Sequence, residues 1–366
     1  MEISIDLISI INFLLQDPLV SLGIIIKSLW WLLPVYFIPY FIYEWRLNIK
    51  KEQYEKNLKP ILLAVDVPQE LEPNLKAVEQ IFAQLAGIQT KGTLYERFFK
   101  GEFQPRFSLE IISVEGYVQF LFWTPTKFRD LIEAAIYAQY PDAEITEVED
   151  YTKNIPFNFS RKKYTLWGTE FRLQNKDVFP IRTYPQFEYS LSQQLADPMA
   201  ALLEILSKLK KGEQIWIQLV ISPVDDKWKK RAKRVIEQII SGKKPSGPLE
   251  SILDLPGTII SGVVESFTWI SEGAFWQTAE EDKKDELLIG GRIMNLTPGE
   301  KGKIESIEMK ISKLGFRTKF RMVYFAQNEV YEKGRGSVAV IGAIKQFNTL
   351  NLNGFKSDKK IATRAH

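Results

Sequence analysis

Residues 107–151 read FSLEIISVEGYVQFLFWTPTKFRDLIEAAIYAQYPDAEITEVEDY. Phe107 to Val114 and Tyr117 to Thr124 are short apolar runs rich in β-branched and aromatic residues, joined at Glu115-Gly116, which predicts a β-hairpin. Lys127 to Gln139 then sets Phe128, Leu131, Ile132 and Ala135 on one helical face. Pro141 ends that helix, and Ala143 to Tyr151 returns as a strand. Upstream, Ile61 to Val67 reads as a strand. Leu71 to Ala86 reads as a helix, with Leu75, Val78, Ile81, Phe82 and Leu85 at three- and four-residue spacing and Gly87 as its stop. Strand, helix, strand, strand, helix, strand is the ferredoxin-like sequence of elements, and four strands under two helices make a sensible core. The expected first lobe is 60–155.

Downstream the pattern recurs. Thr165 to Leu173 reads as a strand. Asp197-Pro198 opens a helix with Leu202, Leu203, Leu206 and Leu209 inward and Gly212 closing it. Gln214 to Ile221 is a strongly apolar strand, and Asp225 caps a helix bearing Trp228, Ala232, Val235, Ile236 and Ile239. The stretch 243–296 breaks the pattern and is expected as an insertion. Thr297 with Glu300 forms a capping box, opening a helix with Ile304, Ile307, Ile311 and Leu314 that ends at Gly315. Phe316 to Ala326 follows as a strand and Ser337 to Phe347 as a helix. The expectation is an α+β chain with two ferredoxin-like lobes, the second over 160–355 with its last strand missing or in the polar tail 356–366.

Leu22 to Tyr43 reads LGIIIKSLWWLLPVYFIPYFIY, long enough to cross a hydrocarbon core as a helix, with Lys27 near one end. Trp30, Trp31, Pro34, Tyr36, Pro39, Tyr40 and Trp45 are the candidate anchor residues, aromatic rings at the interfaces and prolines that membrane helices tolerate. Glu2, Asp6 and Asp17 precede the stretch; Arg46, Lys50, Lys51, Lys56 and Lys59 follow it. The positive-inside bias then predicts a single-pass inner-membrane protein with its bulk in the cytoplasm, a span over 19–45 and a juxtamembrane helix over 46–59. Ile3 to Leu15 is read as an interfacial segment, with a first crossing as the alternative.

Composition narrows the chemistry. With 366 residues and a net charge of +3, the chain is an ordinary globular composition and no polyanion binder on charge alone. It has no cysteine, and its one histidine is the last residue, His366, which excludes thiolate metal sites, cysteine nucleophiles and histidine triads. No Walker A string occurs; Gly299-Glu-Lys-Gly-Lys-Ile lacks its spacing. Gly334-Arg335-Gly336 is a weak phosphate candidate. Glu144, Glu147, Glu149 and Asp150 form an acidic run that reads as a solvated strand edge. Lys227, Lys229, Lys230, Arg231, Lys233 and Arg234 stud one helix as KWKKRAKR, a solvated face or a contact for the phosphates of nucleic acid or anionic lipid. Ile259 to Trp276 is apolar enough to dock a partner.

Several strings together carry a resemblance: WWLLP (30–34), LKAVEQIFAQLAG (75–87), the 107–151 stretch, DPMAALLEILSKLKKGEQIWIQLVISP (197–223) and IGAIKQFNTLNLNGF (341–355). They resemble the membrane-anchored N-terminal region, of uncharacterised function, of candidate-phyla bacterial type IV secretion and conjugative coupling-protein-like ATPases of the HerA/FtsK type. The resemblance implies a non-enzymatic anchoring and assembly region that positions a cytoplasmic P-loop ATPase, with that ATPase or identical subunits as partners and DNA as a further one. It implies no catalytic residue, cofactor or metal. The alternatives are a membrane-tethered binding module for nucleic acid or anionic lipid and a hydrolase built on carboxylates.

Overall fold

The structure, a computed structural model, describes residues 31–68, 75–89, 95–155, 163–187, 197–242 and 296–363. It divides into two units: residues 1–59 with 90–104, and residues 60–89 with 105–366.

In the first unit, α1 (Leu32–Asn57) runs 26 residues through Pro39. One side of α1 packs within the unit. Tyr54 meets Phe103 edge-on with ring centroids 5.5 Å apart, Leu47 is buried, and Gly101 lies against the Lys50 backbone. Gly101 has φ of 71°, and a Cβ there would sit 2.5 Å from the Lys50 carbonyl carbon, so both the backbone conformation and the close approach require glycine.

Here the membrane expectation is corrected. No helix among the described residues is long and apolar enough to cross a membrane. The apolar part of α1 runs only from Leu32 to Tyr43. The same helix then continues without a break through Glu44, Arg46, Lys50, Lys51, Glu52 and Lys56. Residues 19–30 of the expected span, Trp30 among them, lie outside the described residues, as does the 3–15 segment. The single-pass inner-membrane localisation is therefore not supported.

The second unit is built on eight strands: β1 (Pro60–Asp66), β2 (Phe107–Val114), β3 (Tyr117–Pro125), β4 (Glu144–Val148), β5 (Tyr164–Leu173), β6 (Glu213–Pro223), β7 (Phe316–Gln327) and β8 (Phe355–Ser357). All pairings are antiparallel, in the order β4-β1-β3-β2-β6-β7-β5-β8. The two separate ferredoxin-like lobes are thus corrected to one α+β sheet. β2 pairs with β6 over its full length, from Phe107 opposite Ile221 to Val114 opposite Gln214. Counted from either end the strands come fourth, first, third, second of their own set, so one half repeats the other across β2 and β6.

The hairpin between β2 and β3 turns where expected, with positive φ at Glu115 (54°) and Gly116 (91°). Strand alternation sorts two faces. On one, α2 (Leu75–Ala86) and α3 (Arg129–Tyr137) cover Leu63, Phe107, Phe122 and Ile221. On the same face α4 (Ala200–Ser207) and α7 (Ala339–Ile344) cover Trp167, Phe171, Ile215, Ile217, Met322 and Tyr324. Each fully buried large apolar side chain here contributes about 1.5–3 kcal/mol. The opposite face gathers Leu62, Ala64, Ile112, Leu121 and Trp216 beneath Tyr151. A further pair, α5 (Lys227–Ser241) and α6 (Pro298–Ile311), packs through Ala232 and Ile307 against Val178.

Candidate functional site

Three features were candidates for chemistry or binding: α1, the basic helix α5, and the carboxylates. On α1 the side facing away from Leu47 is bare. Trp31, Val35, Ile38, Phe41, Ile42 and Trp45 are each more than half exposed. Of the residues read as an anchor, Trp31, Pro39 and Trp45 are exposed, Pro34 and Tyr40 are half-buried, and Tyr36 lies within the helix. Exposed apolar surface of this extent on one helix stands out, because isolated exposed apolar residues are common and contiguous ones are not.

On α5 the six cations split by face. Ala232 is fully buried, with Val235, Ile236 and Ile239 packed beside it, which turns Lys230 and Arg234 outward. Lys229 pairs with Asp226 at 2.8 Å, Lys227 reaches Asp225 at 4.0 Å, and Arg231 pairs with Asp177 at 3.3 Å. Lys230, Lys233 and Arg234 are exposed and make no ion pair among the described residues. The neighbouring Lys310 on α6 turns inward instead, its ammonium donating to the carbonyls of Asp177 and Phe179. Burial pushes it below the usual lysine value, against the pull of Asp177.

The carboxylates of interest are buried ones that the sequence reading did not single out. Glu213, fully buried at the start of β6, accepts from Tyr324 Oη at 2.6 Å, from Arg335 at 2.8 Å and from the Lys210 amide at 2.7 Å. Burial alone would raise its pKa, but those three donors outweigh it and hold the carboxyl below the usual glutamate value. Arg335 also grips Glu332 at 2.7 Å. The Gly334-Arg335-Gly336 segment, a phosphate candidate in the sequence, opens a short π-helix (Gly334–Val338) and uses its arginine to pin β6 to the chain after β7. Gly336 packs on the Tyr324 ring, where a Cβ would collide.

Across the sheet, Glu110 accepts from Tyr151 Oη at 2.6 Å and from Gln218 at 3.3 Å, while Gln218 also donates to the tyrosine oxygen at 2.7 Å. Burial and the Glu110 carboxylate push the Tyr151 hydroxyl well above the usual tyrosine range. The sequence does hold one signal for Glu110, a lone charge inside an otherwise uncharged strand. Its partners lie 41 and 108 residues away.

The acidic run is an edge. β4 ends the sheet, and its exposed Glu144 and Glu147 put charge where an unpaired strand could recruit another chain. Arg129 bridges Glu147 to Glu133 at 2.7 Å each, and Asp150 caps the turn at Thr152. No group of three or more acidic or imidazole side chains with metal-site geometry occurs among the described residues. A shallow groove between β3 and α4 is lined by Val118, Phe120, Leu203 and Glu204, the last bridged to Lys208 at 2.6 Å. The apolar stretch 259–276 lies outside the described residues.

Residues 50–353 match a family described as "Domain of unknown function (DUF8128)", and the chain belongs to that family. No curated protein and no solved structure matches it. The family match bears no statement on secretion or conjugation and does not test those expectations.

Proposed function

We propose that this chain is a non-enzymatic assembly module that works by protein–protein contact through α1, with identical subunits or a P-loop ATPase as its partners. The observation that carries the reading is the bare apolar side of α1, set opposite the side that packs on Phe103 and Gly101. The buried carboxylates add support, since Glu110 and Glu213 both have their oxygens committed to side chains that tie strands together. The ATPase enters from the sequence resemblance. Gentle co-purification of the full chain should recover multimers or a bound P-loop ATPase, and charged substitutions at Ile42 and Trp45 should abolish the complex. A clean monomer with no partner under the same conditions would refute the reading.

A second reading, contact with nucleic acid, is favoured by the three unpaired cations Lys230, Lys233 and Arg234 on the outer side of α5. Its test is low-salt binding of the chain to short single- and double-stranded DNA. Reversing the three charges should remove that binding, and a wild-type chain that binds neither DNA at low salt rules the reading out.

A further inference from the structure

The bare side of α1 has a regular spacing. Trp31, Val35, Ile38, Ile42, Trp45 and Ile49 follow one another at intervals of four, three, four, three and four residues. That alternation is the a/d seam of a heptad repeat, with Val35, Ile42 and Ile49 at a and Trp31, Ile38 and Trp45 at d. The six are between 39% and 61% exposed. Trp31 belongs to the register although it precedes the first helical residue, because the Val35 amide donates to its carbonyl at 3.4 Å. At 100° per residue the seam lies roughly opposite Leu47, Lys50 and Tyr54, the side that packs within the unit. The next two positions of the seam, Glu52 and Lys56, are charged and bridge one another at 2.8 Å, so the apolar seam stops at Ile49. Pro39 falls at an e position, beside the seam and outside it.

Resting on the assembly reading above, we infer that the α1 seam is occupied by the α1 seam of a second copy of this chain, in a parallel coiled-coil contact over residues 31–49. Val35, Ile42 and Ile49, β-branched at all three a positions, are the residue type a two-stranded parallel coiled coil takes there. The area is adequate: six large, half-exposed apolar side chains offer on the order of 600 Å² per chain, about 1,200 Å² for a pair, the lower bound of specific interfaces. A heptad seam is self-complementary, since knobs at a and d insert between those of an identical helix. Phe41, the most exposed apolar residue of the helix, sits at the g position that flanks the seam, while Phe37 and Tyr43 are exposed outside it.

The chain contains no cysteine, so a single introduced one reports without background. Full-length Ile42→Cys should oxidise to a covalent dimer, and Lys51→Cys, on the opposite side of the helix, should not. Sedimentation of the unmodified chain should give at least twice the 42.4 kDa of one chain. Ile42→Asp should return it to the single-chain mass with its far-UV circular dichroism unchanged. A single-chain mass at micromolar concentration without an Ile42→Cys cross-link overturns the inference. So does a chain that stays single and instead partitions into phosphatidylcholine vesicles. Recovery of a P-loop ATPase bound to one copy of the chain would leave the assembly reading standing while this inference fell.

Discussion

Glu213 shows what a single residue contributes here. It is a carboxylate with no exposure, held by Tyr324 and Arg335 from parts of the chain 111 and 122 residues away. Its pKa lies below the ordinary 4.5, so the stability it contributes is present above that value and is lost as pH falls through the lower native one. Arg335→Met leaves the charge buried with only a hydroxyl and an amide. Because Arg335 is itself one-fifth exposed, the loss should sit near the low end for a broken buried pair, about 3 kcal/mol at pH 7. The gap between variant and parent should narrow towards pH 4, as the variant's carboxyl takes up a proton more readily. Urea midpoints at pH 7 and pH 4 measure this, and a gap independent of pH would contradict the electrostatic account. Nothing local marks Glu213, and Glu110 stands out only as the one charge in its strand. A buried charge is defined by partners, and their side-chain partners lie 41 to 122 residues away along the chain.

At the scale of elements, local rules were legible and length rules misled. The Glu115-Gly116 hairpin and the Thr297–Glu300 capping box appear as read, the latter with both of its reciprocal hydrogen bonds. Each is fixed by contacts within four residues. The α1 reading failed because a hydropathy window ends at the first charge, whereas the helix continues unbroken through Glu44 and Arg46 to Asn57. Six of its exposed apolar residues follow one side at heptad spacing, while Phe37 and Tyr43 are exposed elsewhere on it. Helix α5 separates its functions by face in the same way. Lys230→Glu, Lys233→Glu and Arg234→Glu together should therefore shift unfolding free energy by no more than about 0.5 kcal/mol per site, as exposed substitutions do. Ala232→Asp, placing a carboxyl against Ile307 and Val178, should cost several times that. Thermal melts of the two variants separate these outcomes. Equal destabilisation by both would mean that the cations hold α5 in place and are not free for a partner.

For the second unit as a whole, the repeat of elements was readable and the joining of its halves was not. β6 offered a clue, since Gln214 to Ser222 carries no charge at all, whereas an edge strand is usually guarded by one. Such a strand fits the middle of a sheet, which is where it lies, between β2 and β7. The cores are shared across that junction. Ile221 and Leu219 of β6 pack with Phe107 and Phe122, while Ile111 and Val118 of the first half pack with the helices of the second. Neither half can lose its strands without opening the other's core, so the second unit, residues 60–89 with 105–366, should unfold as one cooperative step. Urea titration followed by tryptophan fluorescence and by far-UV circular dichroism should give coincident midpoints, because Trp123, Trp167 and Trp216 sample both halves. Isolated 60–155 should fail to fold, since it exposes β2 as a bare inner strand, with Glu110 deprived of Gln218. Two separated transitions, or a stable 60–155 fragment, would return the unit to a pair of independent lobes.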